Sequence, residues 1–251
     1  MSNKVYFASD LHLGAPSPAE SRIRERKFVE WLDRASADAT EIHLLGDIFD
    51  FWFEYKNSIP KGGTRVLGAI SKLTDSGIPV HFHVGNHDLW TFGYLEEELG
   101  VVVHHEPLKI QWDGLNYLIA HGDGLGPGNY TYKWIKKIYR NRICRWLFKL
   151  IHPDLGIAIA RNLSKNSRES GGRNGGDYNS PEEEVLYNYC SEYLKTDPSI
   201  DCFIMGHRHI PLDLELPRPN STNSSRYVNI GDWIDHFSWT CIENGKLVLH
   251  K

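Results

Sequence analysis

Six short runs along the chain are apolar or alternate apolar with polar residues, and most end at a glycine or a polar cluster. They are KVYFAS from Lys4, EIHLLG from Glu41, IPVHFHV from Ile78, LNYLIA from Leu115, IDCFIMG from Ile200 and RYVNIG from Arg226. Their β-branched and aromatic content, with that punctuation, predicts strands. Between the early runs the apolar spacing changes to three and four residues, which predicts helices across Ser21 to Ala35 and across Thr64 to Leu73, the latter flanked by Gly62-Gly63 and Gly77. Strands alternating with helices imply βαβ units and a mostly parallel sheet. From Arg226 to Lys251 the pattern becomes short consecutive strands with a turn at Asn244-Gly245.

The middle of the chain is patterned differently. From Tyr130 to Ile151, Trp134, Ile135, Ile138, Tyr139, Ile143, Trp146, Leu147 and Leu150 recur at helical spacing, with Lys133, Lys137, Arg140 and Arg145 between them. A second helix is expected across Leu155 to Leu163, then a loop rich in glycine and polar residues from Ser167 to Ser180. A further helix is expected to open at Ser180-Pro181-Glu182-Glu183, with Ser180 as cap and Glu183 completing a capping box. The segment reads as helices inserted between two strands. The expected division is a core of residues 1–124 and 196–251 with a helical insertion, or lid, over residues 125–195.

Composition adds two points. With 41% apolar and 24% charged residues the 251-residue chain is ordinary for a soluble globular protein, and the opening MSNKVYFASDLHLGA has no signal-peptide pattern, so a cytoplasmic location is expected. Cys144, Cys190, Cys202 and Cys241 are scattered without a CxxC pair, which argues against a disulfide framework and a zinc ribbon. The net charge of −4 is uneven: between Leu125 and Lys165 nine basic residues face one acid, a local +8 against −12 for the rest. Basic residues interleaved with large apolar ones suit an anionic membrane surface and a pyrophosphate better than a long nucleic acid, which is not expected as a partner. Packing of the stripe on the core, with a solvated basic face, is the plain alternative.

Five polar clusters each follow an apolar run: Asp10-Leu-His12, Gly46-Asp47, Gly85-Asn86-His87-Asp88, His121-Gly122-Asp123 and Gly206-His207-Arg-His209. Singly, each has a structural explanation, as a turn or a satisfied core histidine. Together, at the carboxyl ends of successive strands, they can converge on one crevice. Asp10, His12, Asp47, Asn86, His121, His207 and His209 offer oxygen and imidazole nitrogen without thiolate. That set suits Mn²⁺, Fe²⁺ or Zn²⁺, and seven ligands are too many for one such ion with an open position. Two ions about 3.5–4 Å apart, sharing a carboxylate, can hold a bridging hydroxide for in-line attack on phosphorus. The expected chemistry is hydrolysis of a phosphoester or phosphoanhydride.

The ordered set DLH, GD, GNHD, HGD and GHRH, from residue 10 to 209, resembles the signature of the calcineurin-like metallophosphoesterases. The resemblance implies a four-layer α/β/β/α sandwich. It implies Asp10, His12, Asp47 and His209 around one ion, and a second ion, bridged by Asp47, held by Asn86, His121 and His207. Mn²⁺ is the first expectation for both, with Fe²⁺ or Zn²⁺ as alternatives. Within that superfamily the chain is similar to the UDP-2,3-diacylglucosamine hydrolases of lipid A synthesis. The similarity rests on its size, the insertion between HGD and GHxH, the order Trp146-Leu147-Phe148, Pro153, Ile159-Ala160-Arg161 and Ser167-Arg168-Glu169, and GDW at 231–233. Such an enzyme would release UMP and a lipid monosaccharide phosphate at the cytoplasmic face of the inner membrane. Substrate contacts are then expected at Asn86, His87, Arg140, Arg145, Ser167 and His207, with Trp134, Tyr139, Trp146 and Phe148 toward acyl chains or the interface.

The chain departs at His87 from the pattern of the better-studied of those hydrolases, which usually carry arginine there. GNHD is the pattern of the wider superfamily, in which this histidine, paired with the following acid, serves as an acid toward the leaving group or stabilises charge at the phosphoryl centre. Asp88 is expected to orient His87 and raise its pKa, making the two the catalytic pair. The alternatives are a metallophosphoesterase for another phosphodiester, nucleotide or phosphomonoester, and a non-catalytic module that binds a membrane or partner. Asp123 is a candidate to orient His121; Asp50 and Glu54 are candidates to face the crevice, and a surface helix accounts for them equally well. His81 and His83 share one strand face, where a third metal site is conceivable but a pair of hydrogen-bonded histidines on the sheet's other face is the expectation; His104-His105 is expected to lie in a loop, and residues 217–225 to form a hairpin loop.

Overall fold

A computed structural model describes residues 4–128, 130–170, 178–219 and 221–251, with backbone alone for residues 161 and 163–170. The first half alternates strands and helices: β1 (Lys4–Ala8), α1 (Pro18–Ala35), β2 (Ala39–Leu44), α2 (Thr64–Asp75), β3 (Val80–His83), α3 (Tyr94–Leu99) and β4 (Val102–His104). Then come β5 (Leu108–Trp112) and β6 (Leu115–Ala120), the inserted helices α4 (Tyr130–Arg140), α5 (Arg142–Lys149) and α6 (Pro153–Ser170), and α7 (Val185–Thr196). The chain finishes with β7 (Cys202–Met205), β8 (Pro211–Pro217), β9 (Ser224–Ile230), β10 (Trp239–Glu243) and β11 (Lys246–His250).

Two sheets result, in the orders β11-β10-β1-β2-β3-β4 and β5-β6-β7-β9-β8. The inner strands β1-β2-β3-β4 and β6-β7-β9 run parallel, and antiparallel partners flank them. Because both faces of each sheet are covered, β1, β6 and β7 are apolar on both sides, whereas β2 and β3 turn histidines toward the second sheet. Val5 and Phe7 of β1 meet Tyr117 and Ile119 of β6 and Cys202 and Ile204 of β7 between the sheets. The alternate residues Tyr6 and Ala8 pack with α1 and α2, while Leu118, Phe203 and Met205 pack with α7. The layers are therefore α/β/β/α, as the motifs imply. Phe7 is fully buried, and truncating such a ring to alanine costs about 3–5 kcal/mol.

Local signals explain most element ends. Ser17 accepts a hydrogen bond from the Glu20 amide, and Pro18 occupies the first turn of α1. Asn244 and Gly245 both have positive φ, 52° and 72°, as the two-residue turn joining β10 to β11 requires. The expected helix from Tyr130 to Ile151 is broken at Asn141, whose side chain accepts from the amides of Ile143 and Cys144 and starts α5 afresh. The capping box at Ser180 does not form. Pro181–Glu183 is a 3-10 turn, and Glu184 caps α7 through the Leu186 amide. The apolar stretch before His104 is β4, so His104 belongs to the sheet and not to a loop. Among the described residues no helix is long and apolar enough to cross a membrane.

Candidate active site

Parallel pairing brings the carboxyl ends of β1, β2 and β3 to one edge, facing those of β6, β7 and β9. Main-chain bonds lock the loops that follow: Asp10 N to Gly46 O at 3.1 Å, His12 N to Asp47 O at 2.9 Å, Gly206 N to His121 O at 2.9 Å and Trp233 N to Asp10 O at 3.2 Å. Close approach explains Gly46, where a Cβ would stand 2.8 Å from His121 Nδ1. Asp10, His12, Asp47, His207 and His209 all adopt the left-handed region, with φ between 43° and 70°. Each such residue costs about 1–3 kcal/mol, which persists only where surrounding structure imposes it.

Asp10, His12 and His209 form one group. Asp10 Oδ2 accepts from Ser9 Oγ at 2.6 Å and from His207 N at 2.9 Å. Its Oδ1 is buried without a hydrogen-bond partner and faces His209 Nε2 at 3.3 Å and His12 Nε2 at 3.8 Å. Asp47, His121 and His207 form the second group. Asp47 Oδ1 accepts from the His87 amide, so Oδ2 is left between His12 Nε2 at 3.6 Å and His121 Nε2 at 3.3 Å. The Oδ1 of Asn86, also buried, has no hydrogen-bond partner.

The far side of the rings decides their tautomers. His121 Nδ1 donates to Leu45 O at 2.6 Å, and His209 Nδ1 lies 3.3 Å from Asp232 Oδ2. In the neutral rings both leave Nε2 as the inward lone pair, the arrangement found in metal-bound imidazoles. Burial opposes charge at Asp10 and Asp47, yet His209 and His12 hold Asp10, and His121 and His87 hold Asp47, well below the usual carboxylate range. Burial would lower His121 and His209, but Asp47 beside the first and Asp10 beside the second draw them up to about 10. The site attracts positive charge, its donors are oxygen and imidazole nitrogen, and unpartnered Asp10 Oδ1, Asn86 Oδ1 and His121 Nε2 are buried in it. These residues fit divalent metal ions.

His87 lies beside both groups, its ring edge-on to His12 with centroids 4.6 Å apart. The expected pairing with Asp88 is not the one observed. Asp88 accepts from the amides of Gly85 and Ile48, both at 2.8 Å, and so staples the turn. The His87 ring is held by Asp50, whose carbonyl accepts from Nδ1 at 2.8 Å. Burial then depresses His87 to about 4 despite Asp47 nearby, so the neutral ring presents Nε2 as a lone pair. Asp50 also approaches His12 Nδ1, at 3.6 Å. Glu54 turns away and accepts from the Trp52 indole and the amides of Phe92 and Tyr94.

The insertion reaches the site through Asp123. Leu45 O orients His121 in place of the expected Asp123, which is held instead by Tyr132 Oη and Lys136 Nζ of α4. A cleft runs from His121 and Asp123 past Lys136 and Arg140 to His83 and His104. Arg140 lines it while bonding His105 O and Glu106, whereas Arg145 lies over the Phe92 ring, 5.1 Å from its centroid. The side chain of Ser167 lies outside the described residues. Phe148 packs with Phe53, Trp90 and Phe51, and Tyr139 with Trp90, so these two rings anchor the insertion to the core. Trp134 and Trp146 are 64% and 59% exposed. Sequence reasoning assigned no role to Asp232, although Gly231-Asp232 after the strand-like RYVNIG was the same glycine-acid signal as Gly46-Asp47.

A family model described as calcineurin-like phosphoesterase matches residues 3–211. A UDP-2,3-diacylglucosamine hydrolase of Porphyromonas gingivalis is 35% identical over 262 residues, covering 100% of this chain and 98% of that one. Proteins of the same name from Shewanella piezotolerans and Vibrio vulnificus are 23% and 26% identical, covering 98% and 90% of this chain and 97% and 88% of their own.

Proposed function

We propose that this chain, a hydrolase that belongs to the calcineurin-like phosphoesterase family, cleaves the pyrophosphate bond of UDP-2,3-diacylglucosamine. Water is consumed, and UMP and 2,3-diacylglucosamine 1-phosphate leave, a step of lipid A synthesis. The observation that carries the reaction is Asp47 Oδ2, set 3.6 Å from His12 Nε2 and 3.3 Å from His121 Nε2, where one carboxylate can serve two ions. In this reading Asp10, His12, Asp47 and His209 hold one ion, and Asp47, Asn86, His121 and His207 the other. When bound, two divalent ions, Mn²⁺ in this proposal, supply Lewis acidity and an activated water for in-line displacement at phosphorus.

The remaining residues bind and orient. His87 turns Nε2 toward the reacting phosphate, whose negative charge raises the affinity of the ring for a proton, so that Nε2–H then donates to a phosphoryl oxygen. Asp50 keeps that ring in place through Nδ1. Arg140 and Lys136 line the cleft beside His121 and favour an anionic substrate. Trp134, Ile143, Trp146, Leu147 and Leu150 are exposed on the basic insertion, which suits acyl chains and contact with an anionic membrane surface. The relatives carrying the hydrolase name support the lipid-linked nucleotide as substrate.

His87, at the position where the resemblance to the diacylglucosamine hydrolases leads one to expect arginine, favours one second reading, a dinuclear phosphoesterase for another phosphodiester or nucleotide. Incubation of metal-loaded protein with UDP-2,3-diacylglucosamine, beside a panel of soluble nucleotides and diesters, separates the two. UMP release is expected from the lipid substrate; turnover of a soluble diester without UMP from the lipid sinks the first reading. Asp47→Ala is expected to remove both ions and activity together.

A further inference from the structure

A second convergence of imidazoles and a carboxylate lies between the two sheets, built from residues the proposed reaction does not use. Glu41 and His43 of β2 and His81 and His83 of β3 alternate with the apolar residues Ile42, Leu44, Val80 and Phe82 that pack with the helices, so the polar ones turn toward the second sheet. Parallel register sets His43 beside His81 and His83 beside His104. Glu41 Oε2 lies 3.4 Å from His43 Nε2 and 3.3 Å from His81 Nε2. His43 Nε2 is nevertheless buried without a well-formed hydrogen bond.

The other ring nitrogens are engaged. His43 Nδ1 is 3.0 Å from His83 Nε2, and His81 Nδ1 is 2.9 Å from His104 Nε2. If Nδ1 carries the proton in His43 and His81, both Nε2 lone pairs face the same carboxylate oxygen, an arrangement that calls for a cation. Trp112 Nε1, from the second sheet, donates to Glu41 Oε1 at 2.6 Å and turns Oε2 toward the histidines. Separations of 3.3–3.4 Å are too long for good hydrogen bonds at that geometry. They equal the ligand-to-ligand edge of a tetrahedron, about 3.3–3.4 Å for bonds of about 2.0–2.1 Å. The metal-ligand candidates show the same signature, with 3.3 Å both from His121 Nε2 to Asp47 Oδ2 and from His209 Nε2 to Asp10 Oδ1.

We propose that Glu41 Oε2, His43 Nε2 and His81 Nε2 form a further metal site, of the Zn²⁺ class, with His83 and His104 orienting the two ligating rings. Two imidazoles and one carboxylate are a donor set that Zn²⁺ or Co²⁺ accepts, with water as fourth ligand. The side chains of Glu41 and His81 are 18% and 16% exposed, which leaves an approach for the ion. An ion there ties β2 to β3 and, through Trp112, to the second sheet, so its role is structural.

The test counts ions in the whole protein. Wild type, Glu41→Gln and His81→Gln are stripped with chelator, reloaded with Zn²⁺ and desalted, and bound zinc is measured by mass spectrometry. Both positions are partly exposed, and circular dichroism checks that each variant is folded. Each variant is expected to hold one equivalent less than wild type. Asp47→Ala loaded with Co²⁺ is expected to show the visible bands of a four-coordinate site, and Asp47→Ala/Glu41→Gln to lack them. Equal zinc in wild type and both folded variants means the cluster is a hydrogen-bonded histidine network, and overturns the proposal. Identical cobalt spectra with and without Glu41 do the same.

Discussion

The Oδ2 of Asp232 lies 3.3 Å from Nδ1 of His209, while its Oδ1 accepts from the amides of Ile234, Asp235 and His236. One oxygen therefore holds a turn and the other sets a tautomer. Asp232→Asn can keep the first job through its amide oxygen, but it then turns an N–H toward Nδ1. The ring is driven to carry its proton on Nε2, the inward atom. We expect metal affinity to fall about 10- to 100-fold with the fold intact, read by metal titration beside circular dichroism. Unchanged affinity would show that the bond to Asp232 does not set the ring.

His87 reaches the edge of the metal-ligand cluster without being needed to complete it. His87→Ala is expected to retain the metal content of the parent while kcat falls about 100-fold or more. Ion counting together with saturating kinetics checks both halves. Loss of an ion would make His87 a ligand, a geometry the proximity of His12, Asp47 and His87 makes available.

Trp134 and Trp146 stand outside the packed anchor formed by Phe148 and Tyr139. Replacing both with alanine is expected to weaken cosedimentation with anionic vesicles about 10-fold or more, since a buried aromatic side chain contributes about 1.5–3 kcal/mol. Secondary structure should be unaffected. Vesicle binding equal to that of the parent would leave the two tryptophans without a membrane role.

Acid stability follows from His43, fully buried between the sheets. Its folded pKa is lowered by burial from 6.5 to about 4. Between those values the unfolded chain binds a proton that the folded one refuses, so stability rises with pH. The contribution is present above pH 6.5 and is lost as pH falls from there through 4; it amounts to roughly 3 kcal/mol. Urea unfolding of metal-free protein across this window should show the slope, and His43→Gln should reduce it by about one proton. An identical slope in the variant would assign the effect to other groups.

Much of this was legible one residue at a time. Alternation in KVYFAS and LNYLIA and the glycine-acid or histidine clusters behind them mark buried parallel strands that end in chemistry, because these two strands, covered on both faces, keep their polar residues toward their ends. The order of the five clusters was enough to recognise the family. Short-range rules failed where a contact from elsewhere decided the matter. Asn141 breaks a periodic helix by capping a new one. Asp88 bonds the amides of Gly85 and Ile48, while a carbonyl 37 residues back holds the ring of His87. His81 and His83 are not each other's partners but bond across the sheet to His104 and His43.

What the sequence alone determined is therefore the strand and helix alternation, the α/β class and the seven metal-ligand candidates, since each is written in local spacing and residue type. What only the tertiary structure decided is which atom faces which. Asp232 behind His209, Leu45 behind His121 and Asp50 behind His87 are joined by hydrogen bonds spanning 23, 76 and 37 residues. Tautomer and orientation depend on those distant partners, and no periodicity along a chain encodes an approach made by the packing of two sheets.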